Sequence, residues 1–215
     1  MKNEGHKLDR KVLVVAREAL FLDGTFSGFR PASEVDYQSR ILASSFFMRR
    51  GDAEENPKFK QPICCAVVVN RADHTVFLCK KLKEASEERL HGTWSCCIGG
   101  HIEEQDSYGP RNVLEQGFIR ERDEELEIVD PPRLRLFGYL NDDSTDVSKV
   151  HFGVIYLVEL KTPSCQLRDT TLAYGSFRSI EDIESMMIQP HSVVDDWGRH
   201  MIDPLKQYMS QIVRR

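Results

Sequence analysis

The chain has 215 residues, 40% of them hydrophobic and 29% charged, with a formal net charge of -5. That is enough apolar material for one sizeable core, and it excludes wholesale disorder. The acidic balance excludes general electrostatic attraction to a nucleic-acid polymer or an anionic membrane, although a bound divalent cation can reverse the field locally for an anionic substrate.

No stretch reaches the roughly 18–20 uninterrupted apolar residues of a membrane span. The first apolar run, Val12 to Val15, is cut short by Arg17 and Glu18, so no secretory signal is expected. The cysteines Cys64, Cys65, Cys79, Cys96, Cys97 and Cys165 include no C-x-x-C pair. Buried, reduced thiols are expected of them, as in a cytoplasmic protein.

In chain order, Lys11 to Arg17 predicts a strand, Phe21 to Pro31 a loop, Ser44 to Arg50 a strand and Gly51 to Lys60 a loop. Gln61 to Asn70 and Thr75 to Lys81, separated by a turn, form a predicted hairpin. Trp94 to Ile98 is a short strand ending at Gly99-Gly100. Asn112 to Glu127 predicts a helix, with Asn112 and Glu115 spaced as an N-cap pair. Strands are expected at Arg133 to Leu140, Phe152 to Leu160 and Leu172 to Phe177. A helix from Ser179 to Met187 follows, then a mostly helical stretch from His191 to Val213 that Pro204 kinks or divides. This order predicts an α/β (α+β) domain, a mixed sheet sandwiched between helices.

The chemistry concentrates in Arg120-Glu121-Arg122-Asp123-Glu124-Glu125-Leu126-Glu127-Ile128. On a helix advancing about 100° per residue, Gly117, Arg120, Glu121 and Glu124 share one face, with Glu125 at its margin. Leu114, Phe118, Ile119 and Leu126 take the core side. Like charges at these spacings cost on the order of 0.2–0.5 kcal/mol per pair, and the negative end of the helix dipole adds to that. A hard divalent cation would offset the crowding, because magnesium prefers carboxylate oxygens. Upstream, Gly99-Gly100 lets backbone approach an ion or phosphate, and the Gly100 carbonyl is a candidate ligand.

Gly100, Arg120, Glu121, Glu124, Glu125 and the hydrophobic Ile128 together resemble the Nudix box: Gly, five residues, Glu, seven residues, Arg-Glu, hydrophobic, one residue, Glu-Glu, one residue, Gly, hydrophobic. The flanks Phe59-Lys60-Gln61-Pro62, Leu90-His91-Gly92-Thr93-Trp94 and Gly99-Gly100-His101-Ile102 are similar to the MutT-type phosphoesterase branch. The resemblance implies a Nudix fold and hydrolysis of a nucleoside diphosphate linked to another group. It implies Mg2+ (or Mn2+) held by Gly100, Glu121, Glu124 and Glu125, with Arg120 supporting them. Trp94 and His101 are candidate substrate contacts. Glu159 and Asp169 are candidate general bases, with Glu103, Glu104 and Asp106 as rivals.

Counting back from Arg120 puts Asn112 where the box has its first Glu, and Gly100 to Asn112 is twelve steps instead of six. Glu115, Glu103 or Glu104 are candidates to replace it in supporting Arg120. Arg122 stands at a hydrophobic position, on the core side, and Glu127 replaces the final Gly. Two alternatives stay open. Trp94-Ser95-Cys96-Cys97 resembles the cysteine-bearing strand of isopentenyl-diphosphate isomerases, and a Nudix-like domain can also sense a nucleotide without catalysis. The expected organisation is an N-terminal extension over 1–43, a Nudix domain over 44–190 and a C-terminal helix over 191–215. A homodimer is compatible with it, and no nucleic-acid or membrane partner is expected.

Overall fold

The computed structural model of the chain describes residues 7–82, 92–129, 132–189 and 193–213. Its strands are β1 (Lys11–Ala16), β2 (Gly28–Pro31), β3 (Phe46–Arg49), β4 (Phe59–Asn70), β5 (Thr75–Lys81), β6 (Trp94–Ser95), β7 (Ile98–His101), β8 (Leu126–Ile128), β9 (Arg133–Asn141), β10 (His151–Leu160), β11 (Cys165–Leu167) and β12 (Leu172–Arg178). Its helices are α1 (Arg17–Leu20), α2 (Tyr37–Ser44), α3 (Arg50–Glu54), α4 (Val113–Glu125), α5 (Asp146–Val150), α6 (Ile180–Met187) and α7 (Asp196–Val213). The main strand order is β12-β5-β4-β10-β9-β2, with β1 and β7 also paired to β4, β3 to β1 and β6 to β5. The expected α+β class with a mixed sheet is the observed one. Residues cluster into two compact units, one of Met1–Cys65, Gly99–Glu121 and Leu136–Ile155, the other of Ala66–Ile98, Arg122–Arg135 and Tyr156–Arg215.

In the first unit β1 is apolar on both faces and buries Val12 through Val15. It runs antiparallel to β3, from Lys11↔Arg49 to Val14↔Phe46, and then to β4 through Val15↔Lys60. Helix α2 starts where the Asp36 side chain accepts from the Ser39 backbone N–H at 2.9 Å, and it buries Tyr37 and Ile41. Tyr37 lies against Phe21, Phe26, Tyr139 and Phe152, mostly edge-to-face with ring centroids 5.2–6.1 Å apart, so aromatic packing forms this part of the core.

Two segments expected as loops carry structure. Gly28–Pro31 of the predicted loop 21–31 pairs with β9, from Gly28↔Asn141 to Pro31↔Gly138. Its Gly-Phe-Arg-Pro sequence has no apolar alternation, and the partner strand supplies its order. In the predicted loop 51–60, α3 covers Arg50–Glu54 and β4 begins at Phe59. Helices of four or five residues, such as α1, α3 and α5, are too short to show a periodic stripe.

In the second unit β5 pairs with β4 at Val69↔Val76 and with β12 from Leu172↔Lys81 to Arg178↔Val76, and Phe77 meets Phe177 edge-on at 5.2 Å. His74, at φ 54°, takes a left-handed turn position in the hairpin. The predicted strand 94–98 is two strands, because Ser95 turns its hydroxyl to the backbone N–H of Cys97 at 3.1 Å and breaks the ladder. Ser179 caps α6 through the Asp182 N–H at 3.0 Å. Pro204 sits inside α7 without dividing it. Met201, Ile202, Leu205, Tyr208 and Met209 are buried on both sides of it, and that burial outweighs the roughly 3 kcal/mol cost of an interior proline. Among the described residues, no helix is long and apolar enough to cross a membrane.

Lys60 is fully buried in the first unit. Its Nζ donates to Asp143 Oδ1 at 2.8 Å, the Ser148 carbonyl at 2.9 Å and the His151 carbonyl at 3.1 Å. Arg17 also pairs with Asp143, at 2.9 Å to Oδ1. Burial pushes the Lys60 ammonium down to about 8 against the pull of Asp143. Asp143, despite partial burial, is held down at about 2 by its bonds to Arg17 and Lys60. Asp143→Ala strands a buried cation and is expected to cost about 3 kcal/mol in urea unfolding, the low end for a broken buried pair because Asp143 keeps some solvent. Lys60→Met, which removes the buried charge itself, is expected to cost less. Because the Asp143 pKa is depressed from 3.8, its contribution is present above pH 3.8 and lost as pH falls through about 2. Asp143→Asn is therefore expected to flatten the acid limb of a Tm–pH profile.

Candidate active site

Strand β7 ends in Gly99-Gly100-His101. A Cβ on Gly99 would lie 2.0 Å from the Cys64 carbonyl oxygen, and its φ of +149° also favours glycine, so this glycine lets β7 close on β4. A Cβ on Gly100 would lie 2.5 Å from Glu121 Oε2. The Glu121 carboxylate is thus pressed against the Gly100 backbone, and two expected ligand residues are brought together.

Arg120 holds that carboxylate, with Nη1 donating to Glu121 Oε1 at 2.5 Å. Its other donors grip Asp106 with two parallel bonds, Nε to Oδ1 and Nη2 to Oδ2, both at 2.8 Å, and Nη2 also reaches the His101 carbonyl at 2.9 Å. Burial works against the guanidinium's charge, but the bonds to Asp106 and the charge of Glu121 raise its pKa above the ordinary value, so it stays cationic. Asp106 is buried and stands on a 3-10 turn over Glu104–Tyr108. The turn is locked by a reciprocal cap in which Asp106 Oδ2 accepts from the Glu103 backbone N–H at 2.8 Å.

Asp106 fills the supporting place for which Glu103, Glu104 and Glu115 are the sequence candidates. Glu103 pairs with Arg10 at 2.8 Å and Glu104 with Lys11 at 3.0 Å, while the Glu115 backbone N–H takes the cap from Asn112 Oδ1 at 3.0 Å. Asp106 lies six steps after Gly100, where the motif has its first acid. Counting forward from the glycine finds it; counting back from Arg120 runs into the six-residue insertion, which lies between Asp106 and α4.

Helix α4 carries Glu121, Glu124 and Glu125 in its last turns and stops at Glu125, two residues before its expected end. Leu126–Ile128 forms β8 instead, antiparallel to β11, so Glu127 pairs with Gln166 in a strand that does not need the motif's glycine. Arg168 caps the end: its N–H donates to the Glu125 carbonyl at 2.8 Å and its Nη1 to the Asp123 carbonyl at 3.1 Å. Arg122 pairs with the exposed Asp123 at 2.6 Å, which supplies an acid partner for a cation at an apolar position.

His101 turns into the first unit. Its Nε2 lies 3.2 Å from His151 Nε2 and 3.7 Å from Glu54 Oε1, and burial pushes its pKa well below the usual value. Trp94 is half-buried with its ring 6.3 Å from Tyr174 and 5.9 Å from Lys80 Nζ. Of the candidate bases, Glu159 is buried and ion-paired with Arg71 at 3.4 Å and Arg135 at 3.9 Å, and Asp169 closes a turn on the Thr171 N–H at 2.8 Å. All six cysteines are free and buried.

No family model matches the chain. Protein YmaB of Bacillus subtilis (strain 168) is 34% identical over 213 residues, covering 93% of this chain and 99% of that protein. The structure of Tm1382, assigned as a Nudix hydrolase, superposes with a TM-score of 0.75 at 26% identity, covering 92% of this chain and 99% of that one. The chain belongs to the Nudix hydrolase superfamily, in the same family as YmaB. The fold is also that of the Nudix domain of Shewanella oneidensis NrtR, solved with ADP ribose, at a TM-score of 0.54 and 20% identity over 70% of this chain and 88% of that one.

In Nudix terms, Asp106 stands where the box has its first Glu, with the loop to the Arg-Glu helix lengthened. Asp106→Ala should leave Arg120 partly unpaired and lower unfolding stability by about 3–5 kcal/mol, the cost of breaking a buried pair. Glu115→Ala and Glu104→Ala should each change it by no more than about 0.5 kcal/mol. Urea denaturation of the three variants checks the assignment; equal losses would reject it.

Proposed function

We propose that this Nudix protein hydrolyses a diphosphate linkage in a nucleoside diphosphate attached to another group, and that it requires magnesium. The carrying observation is the Glu121 carboxylate seated against Gly100 in a space that any Cβ would fill, and clamped from behind by Arg120. An all-oxygen donor set suits a hard ion. Glu121, Glu124, Glu125 and the Gly100 carbonyl would hold magnesium, with manganese as a substitute. When bound, the ion would neutralise the diphosphate and lower the pKa of an attacking water.

The chain's own residues act by positioning. Asp106 fixes the guanidinium of Arg120 through two bonds, and Arg120 fixes one oxygen of Glu121 while leaving the other beside Gly100. Trp94, half-buried next to the exposed Tyr174, supplies an aromatic surface on which a nucleobase stacks. The ADP ribose bound to the NrtR domain supports a nucleotide-type substrate for this fold. His101 faces His151 and Glu54, which favours a supporting place over a phosphate contact. Gly99-Gly100-His101 and the Arg120-Glu121 and Glu124-Glu125 pattern favour hydrolysis over the isomerase alternative, which lacks a full hydrolase box.

The test is turnover of a panel of nucleotide sugars, dinucleoside polyphosphates, coenzyme A and oxidised nucleoside triphosphates with magnesium, wild type beside Glu124→Gln. The variant should lose at least about 100-fold in kcat. Its Tm should hold or rise slightly, because relieving like-charge crowding is worth a few tenths of a kcal/mol. Full turnover by Glu124→Gln rejects the reading, as does unaltered turnover in excess chelator.

A further inference from the structure

Apart from the glutamate helix, the first unit brings together Glu54 at the end of α3, His101 at the end of β7 and His151 at the start of β10. One ligand atom from each lies within 4.8 Å of the others. The two imidazole Nε2 atoms are 3.2 Å apart, and the Glu54 oxygens stand 3.7 Å from His101 Nε2 and 3.8 Å from His151 Nε2. The His–Glu distances are too long for hydrogen bonds. They are close to the spacing around a shared ion: two ligands at about 2.0–2.1 Å in tetrahedral geometry stand about 3.3 Å from each other.

The surroundings orient these ligands. His151 Nδ1 lies 2.7 Å from the Val147 carbonyl, so that nitrogen carries the proton and donates it, and Nε2 presents its lone pair to the cluster. Arg50 Nε donates to Glu54 Oε1 at 3.1 Å and keeps the carboxylate turned inward. Lys60 holds the His151 carbonyl at 3.1 Å, and Arg120 holds that of His101 at 2.9 Å. Side-chain exposures of 7% for His151, 14% for His101 and 18% for Glu54 leave little room for a bulk-water shell. Without an ion, His101 Nε2–H can donate to His151 Nε2; an ion would take the place of that proton.

We propose that Glu54, His101 and His151 form a binding site for a divalent transition metal of the zinc class, separate from the magnesium glutamates. Two imidazoles and one carboxylate are borderline donors that suit zinc, cobalt, nickel or iron(II) and disfavour magnesium and calcium, which take oxygen ligands. The ion would tie the end of β7 to α3 and to the segment after α5. The inference does not rest on the proposed hydrolase activity.

The experiment uses the full chain, stripped of metal and titrated with Zn2+ and Co2+ in the absence of magnesium. One ion per chain is expected, with a tetrahedral Co2+ visible spectrum free of thiolate charge transfer, a Zn2+-dependent rise in Tm, and an X-ray absorption signature of two imidazole nitrogens. Glu54→Gln and His151→Gln should each weaken Zn2+ binding at least tenfold, while Glu124→Gln should bind it as wild type does. Binding by wild type with a thiolate signature, a six-coordinate cobalt spectrum, no stoichiometric binding, or undiminished binding by Glu54→Gln would each overturn the site. Should His151→Gln fail to fold, the wild-type absorption signature and Glu54→Gln decide the matter. Loss of turnover in Glu124→Gln with Zn2+ binding intact separates this site from the hydrolase reading.

Discussion

The candidate site depends on one buried ion pair, in which Arg120 donates two parallel hydrogen bonds to the Asp106 carboxylate. A guanidinium taken out of water must find carboxylate and carbonyl partners in fixed directions, or the cost of burial is not offset. Asp106 meets that demand because the 3-10 turn caps itself on Glu103 and leaves its carboxylate one orientation. Arg120 also donates to the His101 carbonyl and to Glu121. The position of Glu121 against Gly100 is therefore set from behind, through two side chains, rather than by the helix alone.

Helix α4 carries a charge pattern that its own geometry disfavours. Three glutamates crowd its final turns, where the carbonyl ends already concentrate negative potential. Arg120 pairs with the first, Arg168 caps two of the last carbonyls, and the proposed cation would meet the rest of the charge. Ending the helix at Glu125 and passing into β8 fits the same constraint, because continuing it would add Glu127 to the acidic end.

The first unit also contains a buried polar assembly around Lys60 and His151. Lys60 satisfies backbone carbonyls at Ser148 and His151, while His151 faces His101 and Glu54. His101 follows Gly100 directly, and its carbonyl is held by Arg120. One short strand end thus joins the proposed magnesium ligands on one side to the proposed zinc-class ligands on the other.

Much of this could be read from residues close together in the chain. The long apolar strands β4, β5 and β10, the helix with Arg120 and its glutamates, the Asn112 and Ser179 caps and the glycine pair are local patterns, and local patterns report periodicity and turn chemistry directly. Short elements such as β2, α3, α5 and β8 were not legible, since three to five residues hold no period and take their order from partners far along the chain. The pairing of Asp106 with Arg120 and the gathering of Glu54, His101 and His151 were settled by the fold. A count forward from Gly100 reaches the first, but among several nearby acids only the tertiary structure selects it. An insertion hides the first from a count made back from the helix. The second gathers residues 47 and 50 positions apart, which only the folded backbone sets within an ion's reach.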